Sequence, residues 1–139
     1  MAKPLLGHAV AGETGKAHYN KPGDQTNGEV CLRTWYIPTK KWGTVLRAKD
    51  PAQAEKIALC AEQACENPCI GYDQGDRNTL FEAVKNNGFK CDKNSLTKNV
   101  ECDCSALARV CIHYAGIKTD NFVTKTQEAV VMKSGAFNR

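Results

Sequence analysis

An α+β fold is predicted for this 139-residue chain by three observations. Val30, Leu32, Thr34 and Tyr36 share one parity while Cys31, Trp35 and Ile37 occupy the other, which reads as a strand buried on much of both faces. Two later stretches instead carry apolar residues at three- and four-residue spacing, the signature of helices with one packed face. Each stretch begins directly after an aspartate, Asp50 or Asp103, that can accept from the unpaired amides of a helix start. Charged residues make up 24% and apolar residues 42% of the chain, a globular composition that excludes a collagen, a disordered tail and a multidomain machine. Residues 1–139 are read as one domain.

In chain order, the glycine-rich first 28 residues predict a short strand around His8–Ala11 followed by a loop. The strand Glu29–Ile37 comes next, Pro38–Lys41 turns the chain, and Trp42–Arg47 is expected to return as its hairpin partner. Asp50-Pro51-Ala52-Gln53 starts a helix, with proline at its first position and Gln53 completing a capping-box-like pattern. Its packed face is read as Ala54, Ile57, Ala58, Ala61, Ala64 and Cys65, and Asn67-Pro68 ends it. A second helix is predicted from Asp76 to Gly88, and a polar loop from Lys90 to Glu101. The third helix is capped by Asp103, opens with Cys104, and places Cys104, Leu107, Ala108, Cys111 and Ala115 on one face before Gly116. A fourth, capped at Thr124 with Gln127 three residues on, ends at Gly135.

Charge and cysteine content narrow the function classes. The 19 Lys+Arg and 15 Asp+Glu leave a net charge of +4 without a basic block, so a nucleic-acid footprint is missing and a mildly anionic partner fits better. No run approaches the roughly 18 apolar residues that a membrane-crossing helix requires, so no membrane partner is expected. Eight cysteines would suit a disulfide scaffold, but Met1–His8 has no apolar core of signal-peptide length, and a reducing cytosol is the expected starting compartment. Thiols there are buried, bind metal, or act as nucleophiles. Cys60, Cys65 and Cys69 with Cys102 and Cys104 do not have the paired knuckle spacing of structural zinc, so neither a metal nor a cofactor is expected.

Cys104 is the exception among these thiols because of its position. At the first turn of a helix, a thiol meets the positive end of the backbone dipole and unpaired amides, which favour thiolate and steady a developing oxyanion. The same residue also fits the apolar stripe of a buried helix, and spacing alone leaves both readings open.

The local sequence separates them. Asp103-Cys104-Ser105-Ala106-Leu107 resembles the Asp-Cys-Ser-Gly/Ser-Leu signature of NlpC-like, papain-fold cysteine peptidases, which cut peptide bonds in bacterial cell-wall peptidoglycan. Three further segments resemble the N-terminal peptidase domains of phage endolysins, in matching order. They are Gly7-His8-Ala9, Gly23-Asp24-Gln25-Thr26 with Glu29-Val30, and Ile70-Gly71-Tyr72-Asp73-Gln74 leading into Arg77-Asn78-Thr79-Leu80. The resemblance implies a papain-like scaffold with Cys104 as nucleophile and Tyr72 helping to bind the oxyanion or substrate. It further implies Asp24, Gln25, Gln74, Asp103 and Ser105 along the substrate cleft, with Asp103 as a cap and Ser105 adding a hydroxyl at the helix start.

One element of that family's pattern is missing. Its general-base histidine lies downstream of the nucleophile helix, in a Gly-His-Thr/Ser segment, whereas the histidine after Cys104 here is His113. Nine residues along the same helix place His113 roughly 13 Å up the axis and about 180° around, so it cannot serve. His8 and His18 lie upstream; chain order does not define such a site, and His8 is the candidate imidazole. The resemblance otherwise implies the amino-terminal part of a peptidase. In that case the third helix would lack sheet partners, and self-association or a second chain would complete the fold. The expected activity is cleavage of an amide in peptidoglycan stem peptides through an acyl-thioenzyme, by a protein made in the host cytoplasm and acting on the wall. The alternatives are a catalytically silent wall-binding or assembly module on the same scaffold, or one part of a split enzyme.

Overall fold

The computed structural model describes residues 4–9, 29–37, 39–40 and 43–139. Asp24, Gln25 and His18 lie outside the described residues, as do most of the predicted N-terminal loop and the second half of the strand predicted at His8–Ala11.

The class is α+β, with four helices and three two-stranded sheets among the described residues. Strand β1 (Leu5–Ala9) pairs antiparallel with β2 (Val30–Thr34), from Leu5 opposite Thr34 to Ala9 opposite Val30. This corrects the predicted hairpin: β2 finds its partner upstream, and residues 43–46 form no strand. The double burial expected of β2 is also limited to its start. Val30 is fully buried, whereas Trp35 is 43% and Ile37 75% exposed, since no described sheet is wider than two strands. Strand β3 (Arg47–Ala48) pairs instead with β6 (Phe137–Asn138) at the far end of the chain.

Helix α1 (Pro51–Glu66) starts as predicted, with the Asp50 carboxylate accepting from the Ala52 amide at 2.9 Å. The capping box does not form; Gln53 Nε2 donates to the Ala115 carbonyl at 3.3 Å and so ties α1 to the end of the third helix. The packed face is rotated from the predicted one. Ala54 and Ala58 are exposed, while Cys60, Ala64 and Cys65 are buried and Ile57 and Ala61 pack beside them. The spacing 57, 60, 61, 64 is still helical, with Cys60 serving as a small apolar residue.

Strand β4 (Ile70–Tyr72) pairs in parallel with β5 (Val100–Cys102), which occupies the end of the predicted polar loop. Helix α2 (Thr79–Val84) crosses between them and is shorter than predicted. Its C-terminal side ends in turns at Gly88 and Phe89, both with positive φ. Helix α3 (Cys104–Tyr114) packs against α1 and α2 at the centre, with Val110 fully buried and Ala106 2% exposed. It therefore does not present the bare apolar face expected of a helix without partners. Helix α4 (Thr124–Lys133) is capped one residue earlier than predicted: Val123 and Thr126 exchange bonds, Val123 N–H to Thr126 Oγ1 at 3.2 Å and Thr126 N–H to the Val123 carbonyl at 2.9 Å. Two apolar clusters result. One is held by α1, β4, β5 and the start of α3, the other by the end of α3 with α4 and β6.

Candidate functional site

Cys104 is the first residue of α3, and Asp103 fixes that start by accepting from the Ala106 amide at 2.7 Å. All eight cysteines are free thiols, and Cys104 is the exposed one; Cys31 and Cys69 are half-buried and the other five are buried. Burial raises the Cys65 thiol to about 12 and lifts Cys102 well above the ordinary 9.0. Cys60 and Cys91 lie 3.9 Å apart and are also raised, Cys60 chiefly by its hydrogen bond with Cys111 and Cys91 chiefly by its bond with Cys60. These thiols remain protonated and enclosed. No group of three candidate metal ligands occurs among the described residues.

The stripe read from the sequence as one face of α3 has a specific location. Cys104, Leu107, Ala108 and Cys111 line a cavity of about 500 Å³ whose opposite walls include Gly7 and His8 of β1. Gln127 and Val131 of α4 contribute to the same wall system, which is mainly apolar. The cavity therefore brings Cys104 and His8 to one space. His8 Nε2, however, lies 3.1 Å from the Cys31 Sγ, its direct cross-strand neighbour. The hydrogen-bond partner of the Cys104 Sγ among the described residues is Thr124 Oγ1, at 3.4 Å.

The other sequence-predicted residues divide between the helix start and β4. Asp103 and Ser105 flank the thiol, and Ser105 Oγ donates to Asp103 Oδ1 at 3.0 Å. Tyr72 is buried in the core at the end of β4, and its hydroxyl accepts from Gln74 Nε2 at 3.0 Å. Neither Tyr72 nor Gln74 is among the described residues lining the Cys104 cavity. His113 is separate, as expected: its ring packs against Phe81 and Phe89, and Nε2 accepts from the Thr119 amide at 3.1 Å. Burial lowers its pKa.

Sequence reasoning missed Arg77 as a site residue. Its Nε bonds Asp103 Oδ2 at 2.7 Å, and its Nη2 reaches both Ser105 Oγ at 2.8 Å and the Phe122 carbonyl at 2.6 Å. Burial alone would raise the Asp103 carboxyl, but the Arg77, Ala106 and Ser105 hydrogen bonds outweigh it and hold the pKa below the ordinary 3.8. No local signal links positions 77 and 103, since only the folded chain brings them together. Thr124 was read as a cap, and nothing in its spacing predicts its approach to a thiol 20 residues earlier.

The endolysin-like domain family matches residues 6–139, and the chain belongs to that family. No curated protein and no solved structure matches it.

Proposed function

We propose that this domain is a peptidoglycan hydrolase of the endolysin type, with Cys104 as nucleophile against an amide of the stem peptides. The observation that carries the reading is the placement of the one exposed thiol at the start of α3, on the wall of a cavity of about 500 Å³. The thiolate attacks the carbonyl carbon, the amine leaves with a proton, and water then releases the acyl group from sulfur. The Asp103 cap takes up the Ala106 amide and keeps the start of α3 in register, and the Cys104 and Ser105 amides ahead of it are helix-start donors suited to the developing oxyanion. The apolar walls suit the short aliphatic side chains of a stem peptide, and the net positive charge assists approach to an anionic wall. His8 shares the cavity and is the candidate proton acceptor, which requires a ring movement from Cys31 towards Cys104.

The 3.1 Å approach of His8 to Cys31 supports a second reading, in which Cys31 is the nucleophile and His8 its base. Cys31 lies inside β2, away from any helix start, so this pair lacks the oxyanion donors available to Cys104. Purified walls decide between the two. Cys104→Ser should reduce release of new amino groups to background while the far-UV circular dichroism is unchanged, and Cys31→Ser should retain turnover. Full activity in Cys104→Ser rejects the first assignment. Wall sedimentation without amino-group release by the parent protein identifies a binding module instead.

A further inference from the structure

Arg77 lies where the starts of α3 and α4 meet, and its guanidinium contacts residues on both sides of the candidate site. On the α3 side it holds Asp103 and Ser105, the two residues that bracket Cys104, at 2.7 and 2.8 Å. On the α4 side it holds the Phe122 carbonyl at 2.6 Å and Asn121 Oδ1 at 3.3 Å, two and three residues before Thr124. The thiol and hydroxyl that meet at 3.4 Å therefore stand on two chain segments joined through one planar, five-donor group. The Arg77 and Asp103 side chains are only 13% and 12% exposed, so solvent does little to loosen this junction.

We propose that Arg77 is a positioning residue for the reactive centre, setting the Cys104 thiol against the Thr124 hydroxyl and thereby fixing the direction in which the thiol faces the cavity. The inference rests on the reading of Cys104 as the nucleophile. Lysine at position 77 could keep one charged bond to Asp103, but it lacks the second arm that holds Phe122. Loss of the brace lets the two helix starts shift relative to one another, and displacements near 1 Å are enough to cost on the order of 100-fold in a positioned reaction.

The test uses the full chain with Arg77→Lys, Arg77→Met and Thr124→Val. Alkylation of Cys104 by iodoacetamide is followed by peptide mass across neutral to alkaline pH, beside thermal melting and wall hydrolysis. The expected result is a folded Arg77→Lys protein whose Cys104 alkylation rate and pH profile depart from the parent by roughly 10-fold, with Thr124→Val changing the profile in the same direction. Its wall hydrolysis should lose kcat with KM retained. A folded Arg77→Lys protein whose profile superposes on that of the parent overturns the proposal. So does loss of the fold in both Arg77 variants, which would make the residue a structural brace alone. Alkylation needs no wall chemistry: a parent inactive on walls whose Cys104 profile still responds to Arg77→Lys rejects the hydrolase reading and upholds the positioning role.

Discussion

Cys102 closes β5 and Cys104 opens α3, and the single residue between them, Asp103, separates opposite environments. Cys102 is fully buried, its Sγ 3.6 Å from the Gly71 carbonyl across the parallel pair, and burial holds its proton tightly. Cys104 is exposed on the wall of the cavity. The change from strand to helix causes the difference. Along β5 successive side chains fall between α2 and the core, whereas the turn at Asp103 rotates the next side chain out towards β1 and α4. Two cysteines close in sequence can thus have unrelated environments, one filling space in the core and the other facing a cavity.

The largest expected effect is in thiol labelling. In the native protein at mildly alkaline pH, iodoacetamide should modify Cys104 on the order of 1,000-fold faster than Cys102, because a sealed thiol reacts only when several kcal/mol of structure opens. In strong denaturant the two rates should converge. Native labelling of Cys102 at a rate comparable to Cys104 would break the comparison.

A second effect concerns the turn that separates them. Asp103→Ala removes a helix cap and leaves Arg77 without its carboxylate, so a loss of about 3 kcal/mol is expected in urea unfolding. Because the folded carboxyl lies below 3.8, its contribution is present above that value and is lost as the pH falls through the lower folded value. The variant should therefore show a flatter acid limb than the parent; an unchanged acid limb would remove Asp103 from the account.

The smallest effect, read per pH unit, is the slope of the alkaline limb. Cys102 and Cys65 hold protons that the unfolded chain releases near 9.0, so their stabilisation is complete below that pH and lost as the pH rises, for Cys65 through about 12. Each such thiol steepens the loss by up to about 1.4 kcal/mol per pH unit. Cys102→Ala should shallow that slope in equilibrium unfolding; an unchanged slope would remove Cys102 from the account.

The helix starts were legible because each depends on residues within one turn. Asp50 with Pro51 and Asp103 with Cys104 are where their spacing puts them. The stripe Cys104, Leu107, Ala108 and Cys111 was legible as a shared face, although the sequence could not tell a core contact from a cavity wall, since both select apolar side chains. The Cys31 approach to His8 depends on β1 pairing with β2, and a five-residue strand carries no mark of its partner.

By itself, the sequence determined the class of fold, most helix boundaries and the presence of a thiol at a helix start, because capping, proline geometry and helical spacing act over three or four residues. The tertiary structure decided which strands pair, which face of α3 borders a cavity and which cation joins Asp103 to Phe122. Those choices rest on contacts between residues 20 or more positions apart in the chain, such as Arg77 with Asp103 and Cys104 with Thr124. Their free energy exists only once packing has brought the separate segments together.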